Sequence, residues 1–136
     1  MISDIGVIDN MYNYIKGTEL ESSVTGVLSK TKRPKNSDKE DIVISILSNV
    51  SSQIQEVYVN VNIYVKDLNV KKNGETQNEM DVIRLRTLCG LAFDLLEVGS
   101  GERFRFAIES QRVIAVEDIE SHVINNKILY KHINET

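Results

Sequence analysis

The chain of 136 residues, 41% apolar and 26% charged, has the composition of one soluble globular domain with a single hydrophobic core. A formal net charge of −4 argues against whole-molecule affinity for nucleic acid or anionic membrane, and the lone Cys89 excludes an internal disulfide. Aromatics at 6% disfavour a large aromatic-lined pocket, Met1–Ile15 lacks the pattern of a signal peptide, and no stretch approaches the roughly 18 apolar residues of a membrane span, which together predict a protein kept in a reducing cytoplasm.

The first predicted element is a helix over Ser3–Lys16. At about 100° per residue, Val7, Ile8, Met11, Tyr12, Tyr14 and Ile15 share one side. Ser3 can cap its start and Gly17 can stop it. Glu19–Ser29 reads as a strand of modest strength, followed by a polar loop, Lys30–Asp41, that carries the only proline, Pro34. Ile42–Leu47 is a short β-branched run suited to a strand buried on both faces.

The clearest element is Gln55–Val65. Val57, Val59, Val61, Ile63 and Val65 alternate with Tyr58, Asn60, Asn62 and Tyr64, and this period of two places all the β-branched residues on one face of a strand. Lys66–Gln77 reads as a polar loop with a turn at Asn73–Gly74. A second helix is predicted over Asn78–Val98, with a capping box formed by Thr76 and Glu79. Its apolar arc, which includes Leu85, Leu88, Cys89, Leu91, Ala92, Leu95 and Leu96, spans about 200°, wider than the ~100° stripe that one docking surface requires. Such a helix is either deep in the core or in contact with two surfaces.

Gly99-Ser100-Gly101 reads as a connector into a strand over Phe104–Ile108, with Val113–Val116 as its hairpin partner. A last strand over Lys127–Ile133 follows a turn at Asn125–Asn126. The predicted fold is therefore α+β: one domain over residues 1–136, an antiparallel or mixed sheet with two helices on one face, in the order α-β-β-β-α-β-β, with a further strand optional.

Little in this pattern suggests chemistry. Nucleophilic or acid–base catalysis needs a nucleophile with a base, or carboxylates in contrasting environments. His122 and His132 read as surface histidines, and Cys89 as a buried small hydrophobe. Glu117, Asp118 and Glu120 lack the spacing and glycine of a calcium loop and read as a solvated turn. The sequence thus predicts no catalytic residues, no metal and no cofactor.

Two features remain as interaction candidates. Lys30, Lys32, Arg33 and Lys35 place four cations within six residues of an otherwise acidic chain, either as a solvated loop or as a contact for a polyanion or an acidic partner. The face bearing Tyr58, Asn60, Asn62 and Tyr64 reads either as a hydrated sheet face or as a subunit interface.

The order of elements resembles the tail-completion (tail-terminator) and head–tail joining proteins of long-tailed bacteriophages. The likeness lies in the short first helix, the strand and polar loop with Pro34, the strands Ile42–Leu47 and Val57–Val65, the long helix with Leu85, Leu88, Ala92 and Leu96, and the carboxy-terminal strands. The resemblance implies a non-enzymatic virion protein, present in the host cytoplasm during assembly. It implies a homo-oligomeric ring, commonly a hexamer, in contact with other neck or tail proteins, with DNA contact only through the basic loop and no membrane. The competing expectation is a small cytoplasmic adaptor or immunity-type module acting as a monomer or dimer.

Overall fold

The branched residues of the alternating strand all point into the core. Val57, Val59, Val61 and Ile63 are fully buried and Val65 nearly so, and burying each such side chain contributes about 1.5–3 kcal/mol. A computed structural model of the chain describes residues 1–134. It contains helices α1 (Asp4–Ile15), α2 (Glu19–Ser23) and α3 (Val82–Leu96). Its strands are β1 (Leu28–Lys30), β2 (Ile42–Val50), β3 (Ile54–Lys66), β4 (Leu68–Lys72), β5 (Glu75–Glu79), β6 (Val98–Gly101), β7 (Phe104–Val116) and β8 (Ser121–Ile133).

Six strands form one mixed sheet in the order β1-β2-β3-β8-β7-β6, with only β1 and β2 parallel. β4 and β5 form a separate two-stranded hairpin. One face of the large sheet carries the core. There Val7, Ile8, Met11 and Ile15 of α1 and Leu85, Leu88, Ala92 and Leu96 of α3 join the inner residues of β2, β3, β7 and β8 in one buried cluster. Tyr14 of α1 meets Phe106 of β7 edge to face at 4.8 Å, and Phe104 stacks on Tyr130 at 5.1 Å.

Helix α1 follows its sequence pattern, with the Ser3 hydroxyl accepting the Gly6 N–H at 3.0 Å. Other elements differ from expectation. Glu19–Ser29 is not one strand. Thr18 starts the short helix α2, the Glu21 carboxylate accepts the Gly17 N–H, and Leu20 is its sole buried anchor, so strand pairing begins only at Leu28. Ile42–Leu47 extends to Val50 and is buried on both faces only through Ile44; Leu47 is exposed at a bulge.

The predicted loop Lys66–Gln77 is largely the β4–β5 hairpin, whose turn is at Asn73–Gly74 as the sequence indicates. Both residues have positive φ, +53° and +79°, the geometry of a primed hairpin turn. Pairing of Leu68 with Glu79 and a 2.5 Å Lys72–Glu79 ion pair draw Thr76–Glu79 into β5, so the capping box does not form. Asp81 caps α3 instead, accepting the Arg84 N–H at 3.1 Å, and the helix ends at Leu96.

The glycine connector is strand β6. Gly99 and Gly101 lie over the rings of Phe106 and Phe104, where an added Cβ would come within 2.2 Å of ring carbon. The expected hairpin Phe104–Ile108/Val113–Val116 is one continuous strand, β7, with a bulge between Ile108 and Ser110 that breaks its alternation. Likewise Asn125–Asn126 is no turn but the middle of β8. Asn126 is fully buried, donating to the Val61 carbonyl at 3.0 Å and accepting from Gln111 at 2.8 Å. The order of elements is therefore α-α-β-β-β-β-β-α-β-β-β, with α2 and the hairpin added to the expected series.

Two glycines give opposite predictions. At Gly26 a Cβ would lie 2.1 Å from the Asp41 carboxylate and 2.5 Å from the Glu40 carbonyl. At Gly90, inside α3, it would meet nothing within 4 Å. Gly26→Ala is expected to cost about 2–3 kcal/mol by forcing packed atoms apart, whereas Gly90→Ala gains about 1 kcal/mol from helix propensity. Urea denaturation of the two variants measures both.

Candidate interaction surfaces

The outer sheet face is assembled by strand register. In β3, Tyr58, Asn60, Asn62 and Tyr64 point away from the helices and pair with Leu129, Lys127, Asn125 and Val123 of β8. Asn125 donates to the Asn60 and Asn62 side-chain oxygens at 3.2 and 2.7 Å, forming an amide cluster across the two strands. The Lys127 ammonium lies 4.7 Å from the centre of the Tyr58 ring. All four candidate residues are half-buried within the chain.

The second candidate, the basic loop, is divided. Lys30 pairs with Asp9 at 2.7 Å and lies over Tyr12 at 4.7 Å. Arg33 donates to the Asp41 carboxylate at 3.0 Å and to the Lys39 carbonyl at 2.8 Å, and its guanidinium is 4.2 Å from the Tyr64 ring centre. Both cations are thus engaged within the chain, and Arg33 brings the loop onto the tyrosine face. Lys32 and Lys35 are exposed and make no ion pair with another described residue.

Sequence reasoning missed the neighbours. Arg105 and Arg112 of β7 and Lys127 and Lys131 of β8 share this outer face, against Glu56 opposite Lys131 and Glu109 at 4.0 Å from Lys127. The face is therefore net basic in a net acidic protein. Only the pairing of strands far apart in sequence reveals it, since the cations are scattered singly over β7 and β8.

Behind the loop lies a buried charge. Asp41, 1% exposed, accepts hydrogen bonds from the Ser37 hydroxyl at 2.5 Å, the Val27 N–H at 3.0 Å and Arg33. Burial alone would raise its pKa, but the bonds from Ser37, Val27 and Arg33, with the Arg33 charge, outweigh that and hold the carboxyl below its ordinary value. Glu40 grips Arg84 of α3 through two contacts of 2.7 Å, and this hydrogen bonding raises the guanidinium pKa despite partial burial.

The residues weighed for chemistry are placed as follows. Cys89 is half-buried on α3, and burial pushes its thiol pKa up, away from the reactive thiolate. His122 Nδ1 is 2.6 Å from the Asp67 carboxylate where β8 begins. His132 has its pKa lowered, first by burial and then by the positive charges of the amino terminus and Arg103. Glu117, Asp118 and Glu120 are exposed around a 3-10 turn. Among the described residues no group of three or more His, Cys, Asp or Glu is placed to hold a metal ion, and no helix is long and apolar enough to cross a membrane.

The sequence matches no protein-family model and no curated protein.

The Asp41 carboxylate predicts a specific pH response. With its folded pKa depressed, its contribution is present above the unfolded value near 4 and is lost as pH falls through the folded value. Asp41→Asn is expected to cost about 3 kcal/mol at neutral pH by leaving Arg33 without its partner. Thermal melts between pH 7 and pH 2 should then show wild type losing this advantage below about pH 4, with the variant's profile flatter there.

Proposed function

We propose that this chain is a non-enzymatic structural protein of a phage or prophage virion, a tail-completion or head–tail joining subunit that forms a ring at the tail–neck junction. The observation that carries the reading is the β4–β5 hairpin. It is a separate two-stranded sheet, and from Leu68 to Glu79 only Val70 and Glu79 are even half-buried. A lone hairpin is marginally stable in water and gains support when it lies against another surface. An arm of this kind suits contact between subunits.

The arrangement of the large sheet agrees with that role. Its two faces differ, one covered by helices and the other bearing cations, tyrosines and amides, and a head-to-tail ring needs two unlike surfaces on every subunit. Of the four clustered cations Lys30, Lys32, Arg33 and Lys35, Lys32 and Lys35 are those left for DNA or an acidic neck protein, because Lys30 and Arg33 have partners in the chain.

Sedimentation velocity and negative-stain microscopy of the full chain test this. Wild type is expected to form rings, and a variant with residues 69–78 replaced by Asn-Gly is expected to keep its fold but sediment as a monomer. Wild type that remains monomeric or stops at a dimer at about 100 μM, where micromolar contacts are saturated, overturns the reading and favours a small adaptor or immunity-type module.

A further inference from the structure

Among the described residues, α3 is exposed along its outer side, where Asp94 borders Thr18 and Glu19 at the start of α2. Its buried line is Leu85, Leu88, Ala92 and Leu96, and helical geometry sets Ile83, Gly90 and Asp94 opposite, with Arg86, Phe93 and Glu97 beside them. Ile83 is 77% exposed and Phe93 42%. Asp94 and Glu97 make no ion pair with another described residue. Gly90 is the informative position. A helix-interior glycine is unfavourable relative to alanine, yet nothing within 4 Å of its missing Cβ requires it. Close approach by a surface from outside the chain would account for it.

The opposite side of the molecule offers a matching surface. A cavity of about 330 Å³ opens on the outer sheet face, with Val98, Ala107, Leu129, Arg105 and Lys131 among its lining residues. Neither cation makes an ion pair with another described residue, although Glu56 faces Lys131 across the strands. The helix ridge thus combines an aromatic knob with two carboxylates against the single cation Arg86, and the sheet face combines an apolar recess with two cations.

We propose that the outer ridge of α3 docks on the outer sheet face of a second copy of this chain, with Phe93 entering the recess and Asp94 and Glu97 meeting Arg105 and Lys131. This rests on the oligomeric reading above and adds a second contact to that of the hairpin. The surfaces lie on opposite sides of a two-layer molecule, so the contact is head to tail, and it closes into a ring if the rotation per subunit permits. A nucleic-acid backbone would also attract Arg105 and Lys131, but it would leave the apolar recess unfilled. The recess therefore favours a second copy.

Charge reversal tests the pairing. Arg105→Glu with Lys131→Glu, and separately Asp94→Lys with Glu97→Lys, are each expected to weaken assembly at least about tenfold by setting like charges across the contact. Mixed one to one, the two variants present complementary faces alternately and should assemble again. Gly90→Ala should raise the melting temperature while weakening assembly, a combination that a purely structural role would not produce. Sedimentation velocity reads association, and circular dichroism melts read folding. Wild-type assembly with unimpaired assembly of both charge-reversed variants, or of Gly90→Ala, overturns this interface and leaves the ring reading standing. Loss of duplex-DNA binding by the Arg105/Lys131 variant with assembly intact overturns it in favour of a polyanion site. Wild type that never assembles removes both readings.

Discussion

The fold depends on how one buried carboxylate is held. Asp41 is the only acidic side chain buried among the described residues, and an uncompensated charge there would be severely destabilising. Its partners come from three directions: Val27 just before β1, Ser37 in the loop, and Arg33 from the basic segment. The backbone on either side continues the clamp. The Asp41 carbonyl accepts from Tyr64 of β3 at 3.0 Å, and the Ile42 N–H donates to the Val27 carbonyl at 2.9 Å. One residue earlier, Glu40 accepts from Arg84 and so ties the start of α3 to the same corner. The parallel β1–β2 pair, the loop and α3 thus share a single polar anchor.

That anchor explains why the basic loop is less free than its charges suggest. Four neighbouring cations in a flexible segment would repel one another and spread into solvent. Here Asp41 neutralises Arg33, and Asp9 neutralises Lys30, so the loop is drawn onto the edge of the sheet. Arg33 then lies over Tyr64 and extends the cationic outer face formed by β7 and β8. A packing requirement in the core has therefore shaped the charge of the surface.

Legibility in the sequence followed locality. β3 was readable because from Val57 to Val65 every inner position is β-branched and every outer one is polar or aromatic, so one strand carries its own proof. α1 and the Asn73–Gly74 turn were readable for the same reason, their determinants lying within a few residues. Asn125–Asn126 was not, since two adjacent amides look like a turn until Asn126 is seen bonded to Val61 and Gln111, residues far from it along the chain. Glu109-Ser110-Gln111 likewise mimics a turn, because a bulge shifts the alternation of β7 without ending the strand. At the site, Tyr58, Asn60, Asn62 and Tyr64 were visible as a face, but Asn125, Lys127 and Arg33, which complete it, come from other elements.

The surface carries features that the isolated chain does not need. Beyond its short pairing with β6, the second half of β7 is an open edge bearing Val113 and Ile114, exposed by 41% and 38%. Such edges invite uncontrolled pairing unless they are bulged, charged or covered. This one has the bulge after Ile108 and the charge of Arg112, which restrain pairing without abolishing the apolar surface. The helix-interior Gly90, the half-exposed Phe93 and the unsupported hairpin likewise lower the stability or solubility of the isolated chain. Surface sites away from special features are usually close to neutral and so would drift toward better helix formers and polar residues. Liabilities shared by a strand edge, a helix ridge and a projecting arm are therefore accounted for together by the proposed assembly, in which contact with other copies would cover them.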